Sequence, residues 1–204
     1  MRKLNVSKWL LIAIMLNLTG SIAAANNPQL ANWVNNIAYT IVNGEASVSG
    51  LKEDATEMKI PEKVTIDGTQ YNVTSVASSA CRAHATLTKV SFPATMRTIG
   101  TDAFAECYAL SDVTFKEGIE TLSARCFTNC RNIVSLDLPS TITSLGVATF
   151  AKCKALKTVN MPASLKVIGD STFAYDTFLT DLTLPEGLQT IGAYAFANAG
   201  LTKI

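Results

Sequence analysis

Cys107, Cys130 and Cys153 recur at a step of 23 residues, and His84 precedes them by the same step. One imidazole and three thiols make a familiar zinc-ligand inventory. If each step is one turn of a stacked coil, however, neighbouring turns lie about 4.8 Å apart and four residues of one column span about 14 Å. Zinc needs all its ligands within about 2.3 Å, so this column is expected to hold no metal. It reads instead as small, soft side chains filling a bend. A disulfide between adjacent turns stays open, because the spacing suits a bridge while side chains in a stacked column run parallel and do not face each other. Five cysteines leave at least one unpaired in any case. Cys81 and Cys126 read as core substitutions.

Catalysis has a thin inventory. His84 is the only histidine, and no serine or cysteine is marked as a nucleophile beside it. The sequence contains no G-x-S-x-G, no H-E-x-x-H and no phosphate-cradling glycine loop. No enzyme and no cofactor are expected. Leu138-Pro139-Ser140-Thr141-Ile142 resembles a cell-wall sorting signal in outline, but it ends in isoleucine and lies inside a repeat. Asn72-Val73-Thr74 forms a glycosylation sequon whose plainer reading is part of a hairpin.

The elements that must position these residues follow from the same 23-residue step. Phe104, Phe127, Phe150, Phe173 and Phe196 keep it, as do Val90, Val113, Leu136, Val159 and Leu182. A repeat this short cannot bury an apolar face alone, so each unit must stack on the next and share one core. One unit reads Leu110-x-x-Val113-x-Phe115, then Ile119-x-x-Leu122, then Cys126-Phe127-x-x-Cys130. The opening hexad is a short strand whose fourth and sixth side chains point inward. Proline at 93, 139, 162 and 185 ends that strand, because it has no N–H for a ladder. A return leg starts at Met96, Ile119, Ile142, Leu165 or Leu188 and is expected to close at Gly100, Gly146, Gly169 or Gly192 with a sharp turn.

The run Leu156-Lys157-Thr158-Val159-Asn160-Met161-Pro162, followed by Leu165-Lys166-Val167-Ile168-Gly169 and Phe173, resembles the BspA-like class of bacterial leucine-rich repeats. The likeness covers residues 60–204. It departs at Lys116, where proline is missing, at Ser123 in place of glycine, and at Asp176 and Ala199 in place of cysteine. The resemblance implies a right-handed, β-rich solenoid in a secreted or surface-displayed protein associated with adhesion and protein recognition.

Upstream, Asn43-Gly44 and Asp67-Gly68 each separate alternating runs, the signature of tight hairpins. Residues 57–86 read as a degenerate first coil carrying the second hairpin, residues 87–200 as regular coils and residues 201–204 as an incomplete last strand. The span 26–56 holds the first hairpin, expected to cap a bare sheet edge; within it, residues 26–36 are open between a short helix and a linker. Residues 1–25 carry basic Arg2, Lys3 and Lys8, a short apolar run and the small stretch Ser21-Ile22-Ala23-Ala24-Ala25, which is the order of a secretory signal peptide. Without those three cations the balance is 14 basic against 16 acidic residues, a charge of −2. Nucleic acid is therefore not an expected partner. No second apolar stretch has transmembrane length, so the mature chain is expected to lie outside the cytoplasm, secreted or at the cell surface.

What remains is the outward side of the opening strands. Lys89, Asp112, Ser135, Thr158 and Asp181 form one column, and Ser91, Thr114, Asp137, Asn160 and Thr183 its neighbour. These ten residues are the candidate surface for a protein or glycan ligand at a cell surface or host matrix, with stacking expected to space them evenly by about 4.8 Å. A spacer that positions another domain and binds nothing is the alternative. The strand begun at Leu201 also suggests an edge-to-edge contact.

Overall fold

The computed structural model describes residues 32–203. The expected leader lies outside the described residues. The fold is a β-solenoid of about six turns, and among the described residues it contains strands and turns but no helix. Among the described residues no helix is long and apolar enough to cross a membrane.

The chain enters through an antiparallel meander of β1 (Asn32–Val34), β2 (Ile37–Val42) and β3 (Glu45–Leu51). Residues 32–34 are thus a strand where a helix or linker was open. The turn into β2 is made by Asn35 and Asn36 at φ 48° and 67°, and asparagine is among the few residues that adopt this left-handed region readily. Asn43-Gly44 turns at φ 52° and 80°, as a tight hairpin requires. After β4 (Glu57–Lys59), the second hairpin joins β5 (Lys63–Ile66) to β6 (Thr69–Val76) through Asp67-Gly68. Strand β3 runs parallel to β6, so the first hairpin continues the return-leg sheet.

The repeats then alternate opening strands with return legs. The opening strands are β7 (Lys89–Ser91), β9 (Asp112–Thr114), β11 (Ser135–Asp137) and β13 (Thr158–Asn160). The return legs are β8 (Thr98–Ile99), β10 (Thr121–Leu122), β12 (Ser144–Leu145), β14 (Val167–Ile168) and β15 (Thr190–Ile191). The return legs form one unbroken sheet in the order β1-β2-β3-β6-β8-β10-β12-β14-β15. A third leg, around each phenylalanine, is a run of turns whose alternate N–H groups bond to the next coil, as in Phe127 N to Thr149 O at 3.0 Å and Asn129 N to Ala151 O at 2.7 Å.

Between the three legs lies one continuous core. Phe104, Phe127, Phe150 and Phe173 are fully buried and stack near-parallel, with ring centroids 5.3–5.8 Å apart, and Phe196 extends the column half-buried. Phe92 and Phe115 form a second stack at 5.5 Å and meet Phe127 edge-on. The glycines closing the return legs do not have positive φ, contrary to the expected sharp turn. Their cause is close approach: a Cβ at Gly146 would sit 2.8 Å from the Leu122 carbonyl oxygen, and one at Gly169 2.7 Å from that of Leu145.

Candidate functional site

The opening hexad determines what each strand shows to solvent. Its fourth position is buried in Val90, Leu136, Val159 and Leu182, so the flanking residues face out by the alternation of a strand. Of the ten candidate residues, Lys89 and Ser91 are half-buried and the other eight exposed. Register places Lys89 beside Asp112 and Ser91 beside Thr114, then Ser135 beside Thr158 and Asp137 beside Asn160. Glu57 and Lys59 on β4 join the same two rows through Lys89 and Ser91. They were missed as site residues, although Met58-Lys59-Ile60-Pro61 already matches the repeat columns.

The rows are not joined by one continuous ladder, however. The opening sheet is split into β4-β7-β9, β11-β13, and an isolated bridge between Asp181 and Lys203. Thr114 and Asp137 are therefore not ladder neighbours, nor are Asn160 and Thr183. Within the blocks the side chains bond to one another. Lys89 Nζ lies 2.7 Å from Asp112 Oδ2, which holds the ammonium pKa above its ordinary value, and Thr114 Oγ1 donates to Asp112 Oδ1 at 3.3 Å. Asn160 Nδ2 donates to Asp137 Oδ1. At the second break the surface opens into a cleft of about 690 Å³ lined by Lys157, Thr158, Asn160, Phe178, Asp181 and Thr183 among others. Four candidate residues thus share one concave site.

The histidine–cysteine column does different work. Cys107 Sγ donates to the Cys81 carbonyl at 3.0 Å, Cys130 Sγ to that of Phe104 at 3.1 Å and Cys153 Sγ to that of Phe127 at 3.3 Å. Each thiol thereby adds a second donor to a carbonyl of the coil before it, which already accepts a backbone N–H. All five cysteines are buried and unbridged, which closes the question of a disulfide in this structure. Burial raises the Cys107 thiol to about 11 and pushes Cys81, Cys126, Cys130 and Cys153 well above the ordinary thiol value. Thiolate, the nucleophile and metal ligand, is strongly disfavoured at such sites. His84 Nε2 is 2.8 Å from the Lys52 carbonyl oxygen, a partner that a base cannot activate as a nucleophile. Ellman's reagent is accordingly expected to leave all five thiols untouched in the folded chain at pH 8 and to react with all five after unfolding. Fast reaction of the native protein would place them elsewhere.

The match to known repeats decides the family. The model of the BspA type leucine rich repeat region fits in six copies across residues 74–202. The chain belongs to the BspA-type leucine-rich repeat family. Among solved structures, a leucine-rich repeat protein from Bacteroides ovatus is 25% identical, with a TM-score of 0.68 over 84% of this chain and 52% of its own. A leucine-rich repeat protein from Bacteroides capillosus is 26% identical, with a TM-score of 0.57 over 64% of this chain and 97% of its own. A leucine rich cell surface protein from Faecalibacterium prausnitzii, 22% identical, shares the fold with a TM-score of 0.64 over 88% of this chain and 55% of its own. The chain spans about half the length of the B. ovatus and F. prausnitzii proteins. Among curated proteins none matches.

Proposed function

We propose that this BspA-type repeat protein is a secreted or cell-surface, non-catalytic binding module that engages a protein or glycan through the outward face of its opening strands. The observation that carries this reading is the cleft of about 690 Å³ that opens on that face between β13 and the Asp181–Thr183 segment. A solenoid presents an extended surface built from equivalent positions, and shallow recognition along it is the usual mode of repeat proteins. Polar side chains dominate the ten positions, so recognition rests on hydrogen bonds and multivalency more than on buried aromatic anchors. The leader-like residues 1–25 support export.

Reversing the charge of Asp137 and Asp181 together tests the face. Both are exposed, so the Asp137→Lys, Asp181→Lys chain is expected to melt within a few degrees of the parent. Its capture of host matrix proteins or glycans should fall sharply. Binding that survives this double change but is lost when the Asn43-Gly44 or Asp67-Gly68 hairpin is altered would move the site to the N-terminal end. A spacer role is the second reading, favoured by the Lys89–Asp112 and Asp137–Asn160 pairs that already satisfy one another on the face. It predicts no capture by either chain.

A further inference from the structure

In a repeat protein each column supplies its own control, and Phe178 departs from its column. The equivalent residues in earlier coils are Ala109, Asn132 and Ala155. Phe178 is 60% exposed, so the core does not call for the ring. The coil that follows explains the exposure. Six residues separate Phe150 from Leu156 and Phe173 from Leu179, but only five separate Phe196 from Leu201. The missing residue shifts the register by one, so that Asp181 bridges Lys203. It also brings Gly200 over the Thr177 carbonyl, where any Cβ would collide. The side chain that would cover Phe178 from the next coil is therefore absent.

Besides this ring the cleft is lined by Thr158, Thr180 and Thr183, Asn160, Asp181 and Lys157, with Met161 and Pro185 adding apolar surface. The Asn160 amide is already oriented by its bond to Asp137. An apolar peptide side chain seated here would meet Phe178, Met161 and Pro185 but would strip water from hydroxyls and a carboxylate without replacing those bonds. A pyranose answers both halves of the site, its C–H face lying on the ring and its hydroxyls meeting the threonines, the amide and the carboxylate. Resting on the strand-face reading above, we infer that this cleft is a saccharide subsite, with Phe178 as the stacking platform and Thr158, Asn160 and Asp181 as the hydrogen-bonding wall. The site is open to solvent along the strand face, so the ligand is a residue within an oligosaccharide and not an enclosed monosaccharide.

The test uses the full chain with soluble cello-, laminari-, manno- and chito-oligosaccharides, read by saturation-transfer NMR and titration calorimetry. At least one is expected to bind at up to about 5 mM. Phe178→Ala should then lower its affinity roughly tenfold or more. Phe178→Trp should keep affinity within about threefold, because it preserves a stacking face. Lys116→Glu, at an exposed residue outside the ten positions, should leave it unchanged. The assignment is overturned if none of the four classes binds, or if Phe178→Ala binds as well as the parent. If no saccharide binds while a protein ligand is still lost with the Asp137→Lys, Asp181→Lys chain, the saccharide subsite fails and the strand-face reading stands.

Discussion

Replacing Asp176 with cysteine is expected to raise the stability of the protein, and to raise it more the higher the pH. Asp176 occupies the column of Cys107, Cys130 and Cys153, in which each thiol donates to a carbonyl of the preceding coil. By the same register its acceptor is the Phe150 carbonyl, and an ionised carboxylate has no proton to offer it. The side chain is fully buried, neither carboxyl oxygen completes a hydrogen bond, and burial pushes its pKa up to about 8 against the weaker opposing pull of the Cys153 backbone N–H. The ionisable group facing it in the column is Cys153, itself held neutral by burial.

The unfolded carboxyl titrates near 3.9, so between about pH 4 and 8 the folded chain holds a proton that the unfolded chain has released. Stability contributed at this site is therefore intact below pH 4, drains as pH rises through about 8, and is flat above that. At about 1.4 kcal/mol per unit over roughly four units, the loss is on the order of 5 kcal/mol and is complete by about pH 8. Urea melts of parent and Asp176→Cys should diverge steadily from pH 5 to about pH 8 and stay apart by a constant margin to pH 9, with Asp176→Asn between them because its amide removes the charge and can donate to the carbonyl but leaves its own buried oxygen unpaired. Curves for parent and Asp176→Cys that stay parallel across that range would show the carboxylate to be solvated.

Much of this fold is legible in the sequence, because a period repeated along the chain lets every position be compared with its equivalents. The phenylalanine spine, the inward parity of Leu136 and Leu138, and the Asn-Gly and Asp-Gly hairpins all follow from types and spacing. The turn legs are not legible in the same way. Arg125, Ala148 and Lys152 adopt φ of 55°, 52° and 65°, a region such residues seldom visit. Their conformation is imposed from outside, by bonds such as Arg125 N to Val147 O at 2.8 Å and Lys152 N to Ala174 O at 2.8 Å.

The breaks in the opening sheet are equally hidden. Leu110-x-x-Val113-x-Phe115 and Ile133-x-x-Leu136-x-Leu138 are both intact hexads, yet no ladder joins β9 to β11. Pairing across that junction depends on packing beneath the strands, which the outward residues do not report. The candidate site shares this limit. Its ten residues follow the outward parity of the strands, but the cleft among four of them lies where the ladder is interrupted. Phe178 stands apart only when read against Ala109, Asn132 and Ala155.

Truncating Phe150 to alanine is expected to produce the largest loss of stability, and to produce it unevenly. The ring has no solvent exposure and lies between Phe127 at 5.8 Å and Phe173 at 5.7 Å. Removing a buried phenylalanine leaves a cavity that rigid neighbours cannot collapse into, at a cost of about 3–5 kcal/mol. That is a large share of the roughly 5–15 kcal/mol that holds a domain together. In a stack where each coil contacts only its neighbours, the loss falls on the two interfaces that Phe150 bridges. The coils after it share the ladder and turn-leg bonds of the rest but end on a half-buried Phe196 and an isolated bridge at Lys203, whereas those before it also lean on the second phenylalanine stack and on two hairpins. Hydrogen exchange on Phe150→Ala should therefore show amides of residues 165–200 losing protection first, while β2, β3 and β6 keep theirs. Near-parental melting, or protection lost evenly from both ends, would show that the stacked rings are not the spine of this solenoid.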